Sequence, residues 1–370
     1  GVIMLKQYKI KDYGFRLILW AVALSILGIM IIGSANESYQ TKQILGLGLG
    51  IVTMVVVSLI DYKWILNFIW LIYVAGIGLL LAVRFFGTEV KGAQRWIEIA
   101  GIQFQPSDLE KIILILFFAY FFSKHEENIS KLKTIIISLI LLGIPWILVK
   151  EQPDLSTSIV LILIFCAMFF IAGLSYKIIG GIIMMCIPAA VIFFSIVTQP
   201  GQTLLEGYQM TRILAWLRPT EYADQAIQQT NSIIAIGSGQ LYGKGLNNNV
   251  VSSVKNGNFV AEPQTDFIFS VAGEELGFIG CCIIILLELL IAYECIRIGR
   301  KARDLTGTLI CCGVGSLIVF QSFMNICVAT GLMPNTGLPL PFVSYGLTSL
   351  VSLFIGIGVV LNIGLQAKKY

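Results

Sequence analysis

Long apolar runs separated by short polar segments fill the chain from Phe15 onward. A run such as Phe15–Gly33 (FRLILWAVALSILGIMIIG) is long enough to cross about 30 Å of hydrocarbon at about 1.5 Å per helical residue. It is too long for a cleavable signal, and similar runs continue to the C-terminus. The pattern predicts an all-α, polytopic membrane protein with about ten transmembrane helices. They are expected over residues 14–34, 45–61, 64–84, 108–123, 134–149, 157–174, 178–198, 266–293, 306–330 and 342–366.

The longest interval without a predicted span, residues 199–265, lies between the seventh and eighth spans. We therefore expect one integral membrane domain over residues 1–370, with residues 199–265 as a large loop. Cytoplasmic segments near span ends retain Lys and Arg, and with the N-terminus inside 15 of the 25 Lys and Arg residues fall on inner segments. Both termini are thus predicted to be cytoplasmic and the large loop extracytoplasmic.

Composition supports the membrane class and narrows the chemistry. The chain is 57% hydrophobic and 12% charged, with a mean hydropathy of +0.87, and no soluble fold covers that much apolar surface. The net charge of +4 reflects the orientation bias, so membrane lipids and not nucleic acids are the expected surroundings. The eight cysteines have no C-x-x-C spacing and are predicted to fill the core. The single histidine, His125, lies in a predicted cytoplasmic loop, which leaves carboxylates, amines, guanidinium groups and hydroxyls for chemistry outside.

Several acids and bases stand at the outer ends of predicted spans. Asp266 opens the eighth span and is the strongest candidate for a proton acceptor, because an apolar span gives few structural reasons for a carboxylate at its lip. Asp108 and Lys111 are three residues apart in the first turn of the fourth span, which Ser107 is expected to cap; they form either a structural ion pair or part of a site. Asp154 either complements the N-terminal dipole of the sixth span or belongs to the site.

The outer loops also carry patterns. Residues 90–112, with Arg95 and Trp96, and residues 207–222, with Arg212, have amphipathic compositions typical of segments at the membrane surface. The glycine-rich stretch around Lys244 has the wrong spacing for a nucleotide-binding loop. Residues 330–349 carry three prolines and three glycines where a span should begin, so this irregular backbone is expected to be buried in protein or to line a cavity. Ser344 is then either a cavity hydroxyl or part of a structural kink.

Six motifs in this order resemble the SEDS family (shape, elongation, division and sporulation), which includes RodA, FtsW and SpoVE. Members are bacterial ten-span membrane glycosyltransferases that polymerise lipid II into peptidoglycan. The chain departs from the family pattern at Asp108, where Glu is usual, at Ser156, where Gly is usual, and at Leu347, which often is Gly. The motifs are KGAQRWI (91–97), QPSDLEK (105–111), QPDLST (152–157), AIGSG with GKG (235–239, 243–245), TDFIF with EELG (265–269, 274–277) and GLPLPFVSYG (337–346).

The resemblance implies roles for individual residues. Asp266 corresponds to the residue regarded as essential for polymerisation, and Trp96 to a functionally important tryptophan. Lys111 and Asp154 would lie by the central cavity. The complete set expected at the substrate is Trp96, Arg95, Ser107, Asp108, Lys111, Asp154, Arg212, Lys244 and Ser344.

The chemistry of lipid II fits these residues. Its undecaprenyl pyrophosphate is a good leaving group, so no cofactor is required for driving force. We hypothesise that Asp266 is the general base on the acceptor's 4-hydroxyl. Lys111, Arg95, Arg212 and Lys244 are candidates to neutralise the pyrophosphate, with a divalent cation (Mg²⁺ or Mn²⁺) as a possible addition. One base and a good leaving group favour an inverting displacement, with a carboxylate nucleophile as the alternative.

The resemblance also implies partners. These are lipid II, the nascent glycan strand and a class B penicillin-binding protein, because the chain has no S-x-x-K set with which to cross-link peptides itself. A short N-terminal tail favours a RodA-like role in elongation and cell shape. The alternatives are a lipid II flippase and a scaffold for the transpeptidase. A flippase should place ionisable groups near mid-span in two repeated halves, whereas the sequence places them at outer span ends without a visible repeat.

Overall fold

The fold was obtained as a computed structural model that describes residues 13–90, 93–99, 102–197, 207–247, 260 and 262–367. Each predicted span overlaps a helix, although the third is divided between two helices and the second begins at residue 37 instead of 45; two further helices lie in the large loop. The helices are α1 Phe15–Ala35, α2 Glu37–Leu59, α3 Tyr62–Asn67, α4 Ile69–Phe86, α5 Pro106–Lys124, α6 Leu132–Glu151, α7 Leu155–Ile171, α8 Tyr176–Val197, α9 Gly207–Leu217, α10 Ala223–Ser238, α11 Ile268–Gly299, α12 Leu305–Ala329 and α13 Leu347–Leu365.

Among the described helices, seven are long and apolar enough to cross a membrane by length and composition: α1, α2, α4, α6, α11, α12 and α13. The polytopic membrane class is therefore confirmed. Helix α7 is apolar but has only 17 residues, and α5 carries three charged residues in its first two turns. The expected number of ten spans stays a prediction.

A small sheet between α4 and α5 was not foreseen. Its strands are β1 Thr88–Val90, β2 Ala93–Ile99 and β3 Ile102–Phe104, antiparallel in the order β1-β2-β3. The sequence analysis took residues 90–112 as an amphipathic surface segment. The period-two alternation at Ile97, Glu98 and Ile99 is the strand signal that a composition-based view misses.

The centre of the bundle is built by α12, which packs against α5, α7, α11 and α13. Its side chains Leu309, Ile310 and Cys311 have no exposed surface. The outer helices behave differently: Leu71 on α4 is 68% exposed, and α2, α6 and α11 also carry exposed large apolar side chains. Such a surface is suited to lipid and not to water.

The described cysteines differ in burial, and only some of them fill the core. Four are buried, whereas Cys166 and Cys282 are exposed on the apolar surface and Cys312 is intermediate. The expectation of core-filling thiols therefore holds for part of the set. The buried four are Cys281, Cys295, Cys311 and Cys327.

The C-terminal ends of α1, α4, α6 and α12 lie at the same end of the bundle as the N-terminal ends of α2, α5, α7, α11 and α13. We call this end the site end. At the opposite end, Asp304 caps α12 by accepting the Gly307 N–H at 2.9 Å. The Tyr62 hydroxyl (2.8 Å) and the Lys63 ammonium (2.9 Å) also bind this carboxylate. Burial raises the pKa of Asp304, but these donors outweigh it and hold that pKa below its ordinary value. Burial, with Asp304 alongside, raises the pKa of Tyr62.

Helix α11 is interrupted at Gly277, whose φ of 66° and ψ of −165° are not helical. The loop after α10 fills the break: Phe278 donates its N–H to the Gln240 carbonyl at 2.8 Å, and Lys244 donates its N–H to the Glu274 carbonyl at 2.9 Å. Gly277 also lies directly against the backbone of Gly243. The glycine motif and the E-E-L-G motif are thus two halves of one contact, which fixes α10 to the bundle.

Candidate functional site

Asp266 lies at the site end, immediately before α11. A Cβ added to Gly337 would lie 3.4 Å from Oδ2 of Asp266, and Gly337 has a φ of +72°, so a residue without a side chain suits this position. Asn325 on α12 donates its Nδ2 to the main-chain oxygen of Asp266 at 2.9 Å and to the Leu338 oxygen at 2.6 Å. Asn325 therefore fixes Asp266 against the irregular chain that precedes α13.

That irregular chain, residues 331–346, is held by side chains from other parts of the fold. Ser156 on α7 binds the Thr336 oxygen at 2.5 Å, and Gln321 on α12 binds the Pro339 oxygen at 2.9 Å. These bonds replace the backbone pairing that a regular element would supply. Four more carbonyl oxygens are bound, those of Gly331 by Trp216, Met333 by Gln229, Asn335 by Arg212 and Ser344 by Gln43.

Ser344 braces the 331–346 segment. Its hydroxyl donates to the Thr265 oxygen and accepts the Leu340 N–H, both at 2.7 Å. Tyr345 adds an N–H bond to the Gln264 oxygen at 2.9 Å. The geometry therefore favours a structural role for Ser344 over that of a cavity hydroxyl. Ser344 holds Thr265, the residue preceding Asp266.

Lys111 forms a buried network that reaches the same segment. Its Nζ lies 2.8 Å from Asp108 Oδ1 and 3.0 Å from Gln321 Oε1, and the Lys111 and Asp108 side chains are only 4% and 6% exposed. Gln321 passes the contact on to the Pro339 oxygen. The ion pair is satisfied within the protein, as a charged pair in this environment must be.

Ser107 does not cap α5 as expected. The helix begins at Pro106, the N-cap residue is Gln105, and no side chain caps it. Proline is favourable at the first helical position, which moves the helix start ahead of the serine. Ser107 instead accepts the Gln105 amide at 3.0 Å.

Asp154 caps α7. Its Oδ1 accepts the Thr157 N–H at 3.1 Å, and its Oδ2 accepts the Thr157 hydroxyl at 2.9 Å and the Gln105 amide at 3.3 Å. The carboxylate is buried. This is the helix-terminus alternative of the sequence analysis, and it ties α7 to the start of α5.

Arg95 and Trp96 lie next to each other on β2. Arg95 donates its Nε to the Gln152 oxygen at 3.1 Å and its Nη2 to the Pro153 oxygen, so its guanidinium fastens the sheet to the α6–α7 junction. Trp96 is partly exposed, and its carbonyl oxygen accepts the Thr88 hydroxyl at 3.2 Å.

The remaining two cations lie in the large loop. Lys244 pairs with Glu274 at 2.8 Å, beside the break in α11. Arg212 on α9 is exposed, and its Nη1 lies 3.3 Å from the Asn335 oxygen. It borders a cavity of about 420 Å³ between α9 and α10, which we call the α9–α10 cavity. The cavity is lined by Thr211, Arg212, Ala215, Asp224, Gln225, Gln228, Gln229 and Asn335. Residues 198–206, 248–259 and 261 of this region lie outside the described ranges.

The 331–346 segment thus brings together Asp266, Lys111, Ser344 and Arg212, each by direct contact or through one intervening residue. The sequence analysis missed Gln321 and Asn325, which make two of these connections. The available signal was their spacing of four within an apolar helix, since polar side chains inside a span are costly and need partners.

Two buried carboxyl groups inside helices were also missed. Glu110 on α5 packs against Gly76 of α4, and Glu288 on α11 lies beside Ser322 of α12. The expectation that ionisable residues cluster at outer span ends is therefore wrong for Glu288, whereas Glu110 stands between Asp108 and Lys111 at the start of α5. Glu288 weakens the argument against a flippase that rested on that expectation.

Comparisons with known proteins agree with this architecture. The family model FtsW/RodA/SpoVE, described as cell cycle protein, matches residues 11–369. The probable peptidoglycan glycosyltransferase FtsW of Geobacter sulfurreducens is 32% identical, with 97% of each chain covered. The peptidoglycan glycosyltransferase MrdB of Escherichia coli is 33% identical over 95% of this chain and 93% of its own. A solved chain of a peptidoglycan synthase complex that coordinates polymerization and crosslinking has a TM-score of 0.77 at 25% identity, with 95% of this chain and 97% of that one covered.

Proposed function

The chain belongs to the FtsW/RodA/SpoVE family of cell cycle proteins, and we propose that it is a peptidoglycan glycosyltransferase. It joins the disaccharide-peptide units of lipid II to a nascent glycan strand and releases undecaprenyl pyrophosphate. Two relatives named for this activity align over nearly their full length. The observation that carries the proposal is the placement of Asp266 at the site end. Asn325 holds its main-chain oxygen, and its carboxylate faces Gly337.

In this proposal the acceptor's 4-hydroxyl oxygen attacks the anomeric carbon of the donor sugar. The new C–O bond forms as the bond to the pyrophosphate oxygen breaks, and the leaving group takes the bonding electrons. Asp266 accepts the hydroxyl proton and later returns it to water. A base positioned in this way contributes about 10²–10⁴-fold to the rate.

Positive charge must balance the departing pyrophosphate. Lys111 is engaged by Asp108, Lys244 by Glu274, and Arg95 by two carbonyl groups, so these three act mainly by holding the site together. Arg212 is exposed at the α9–α10 cavity, and its Nη1 lies 3.3 Å from the Asn335 oxygen. Asn335 is two residues before Gly337, which faces Asp266. We assign the direct contact with the pyrophosphate to Arg212.

A divalent cation stays part of the proposal. The described residues contain no group of three or more His, Cys, Asp or Glu side chains that could hold a metal ion. A Mg²⁺ or Mn²⁺ ion that accompanies the substrate would take its ligands from phosphate oxygens and water, with Asp266 as the carboxylate nearest the reaction. Mg²⁺ commonly binds in this way, with one or two carboxylates and substrate phosphates.

The location and partners follow from the same family membership. We propose that the site end faces the outside of the bacterial cytoplasmic membrane and that both termini are cytoplasmic, on the basis of the Lys and Arg distribution. A class B penicillin-binding protein is the proposed partner, supported by the likeness to a chain of a peptidoglycan synthase complex. The relatives are named both FtsW and MrdB, at 32% and 33% identity, so the role in elongation rests on the sequence expectation alone.

The test is polymerisation of purified lipid II in detergent without ATP. The wild-type protein should produce long glycan, and Asp266→Asn should lower the rate by 100-fold or more, in line with loss of a general base. Glu262→Gln is the matched control, since Glu262 is an exposed carboxylate on the same stretch. An active Asp266→Asn protein would refute the general-base role. No polymer, together with transfer of labelled lipid II across vesicles, would favour the flippase.

A further inference from the structure

The α9–α10 cavity has a lining unlike the rest of the site end. Gln225 and Gln228 are three residues apart on α10, and Asp224 precedes them; Arg212 and Thr211 face them from α9. Gln229 belongs to the wall itself, because it is buried and donates to the Val328 and Met333 oxygens. The other polar groups are exposed or half-buried at the cavity surface.

This set of groups matches a peptide better than a sugar. A primary amide offers a donor and an acceptor side by side, so it can pair with a peptide N–H and C=O together. A guanidinium fits a carboxylate or phosphate, and a carboxylate such as Asp224 fits an ammonium group. Among the described lining residues there is no aromatic side chain that could stack on a sugar ring.

The position of the cavity connects it with the reaction. Asn335 lines the cavity, and two residues later Gly337 faces the Asp266 carboxylate, whose Oδ2 would lie 3.4 Å from a Cβ built on this glycine. In lipid II the sugar that carries the pyrophosphate also carries the peptide stem. A pyrophosphate on Arg212 and an anomeric carbon near Asp266 would place that peptide stem over α10.

We propose that the α9–α10 cavity binds the peptide stem of the lipid-linked substrate, with the amides of Gln225 and Gln228 pairing with its peptide groups. Asp224 contributes selectivity for a stem that carries an amino group. This inference rests on the proposed glycosyltransferase function and adds the part of the substrate that the enzyme recognises. It predicts that substrates with and without the peptide respond differently to changes in α10.

The test compares two substrates in the polymerisation assay: complete lipid II and a lipid-linked disaccharide whose peptide has been removed. The Gln225→Ala/Gln228→Ala double variant should raise KM for complete lipid II by about tenfold, from the loss of two hydrogen bonds, with kcat within twofold. Its KM for the peptide-free substrate should not change. Thr230→Ala is the control, an exposed α10 residue outside the lining.

Because Gln225 is exposed, Gln225→Ala alone serves as a second variant that should fold normally and raise KM about threefold. An equal rise in KM for both substrates, or no rise for either, would overturn the peptide-stem assignment while leaving polymerisation intact. Failure of the wild-type protein to polymerise either substrate would overturn the proposed function, and this inference with it. The two failures are therefore distinguished within one experiment.

Discussion

Asn325 offers the sharpest test of how the fold positions Asp266. Its side-chain amide is the link between α12, the main chain of Asp266 and the 331–346 segment. Asn325→Ala removes both hydrogen bonds but keeps the Asp266 side chain in the protein. The variant therefore separates the presence of the base from its placement.

The expected magnitude follows from the two lost bonds. A buried carbonyl group left without its donor costs about 1–3 kcal/mol. The Leu338 bond is fully buried and the Asp266 bond only partly, so the total is about 2–4 kcal/mol. If half of this loss is felt in the transition state, kcat falls about 5- to 30-fold, at tenfold for each 1.36 kcal/mol.

Asn362 provides the matched control. It is also a buried asparagine with two backbone contacts, since its Nδ2 donates to the Ser58 oxygen at 2.8 Å and its Oδ1 accepts the Tyr62 N–H at 2.9 Å. It lies at the opposite end of the bundle. Asn362→Ala should therefore lower Tm by a similar amount and leave kcat within about twofold of wild type.

The measurements are kcat and KM for glycan formation from lipid II, and Tm of each variant in the same detergent. The reasoning fails if Asn325→Ala and Asn362→Ala lower Tm equally and neither lowers kcat. It also fails if both lower kcat to the same extent, because the effect would then be general destabilisation and not placement of Asp266.

Three further predictions concern stability. Lys111→Met leaves the Asp108 carboxylate buried and unpaired, so we expect a loss of about 3–5 kcal/mol in unfolding free energy, measured as a lower Tm. Gly277→Ala places a methyl group against neighbouring backbone at a positive φ and should lower Tm, whereas Gly78→Ala on α4 meets no atom within 4 Å and should be neutral or slightly stabilising. Because the pKa of Asp304 is lowered in the folded state, the unfolded chain binds more protons at acid pH. The stabilisation by Asp304 is therefore present above about pH 4 and is lost as the pH falls through the folded pKa. Asp304→Asn should make Tm less dependent on pH in this range.

Each of these has a contrary result. A Lys111→Met protein as stable as wild type would mean that Asp108 is solvated or finds another donor. Equal Tm values for the two glycine variants would contradict the tight contact at the α11 break. If Asp304→Asn loses Tm at acid pH as steeply as the wild type does, other carboxylates cause that loss.

Most of the long helices could be predicted from the length of the apolar runs, because a helix that crosses lipid must be apolar over about 20 residues. The sheet at residues 88–104 was not, since its strands have only three to seven residues and their alternation competes with an amphipathic composition. The helix start at Pro106 was misplaced by two positions, because serine and proline both signal helix beginnings.

The site was foreseen as a set of residues more than as an arrangement. Asp266 and Lys111 could be chosen from their charge at span ends, and Arg212 from the amphipathic composition of residues 207–222. What each touches could not, because Asp154 as a cap and Asp154 as a ligand have the same sequence signature. The roles of Gln321 and Asn325 depend on packing between α12 and an irregular segment, which has no periodicity to read.

The 331–346 segment has internal hydrogen bonds among Leu340, Val343 and Ser344, and several of its other carbonyl groups are held by neighbouring helices. Side chains of α2, α7, α9, α10 and α12 each hold one of its carbonyl groups or two. A tilt of any of these helices would move the wall against which Asp266 rests. The position of Asp266 therefore depends on how five helices pack around the 331–346 segment, and not on α11 alone.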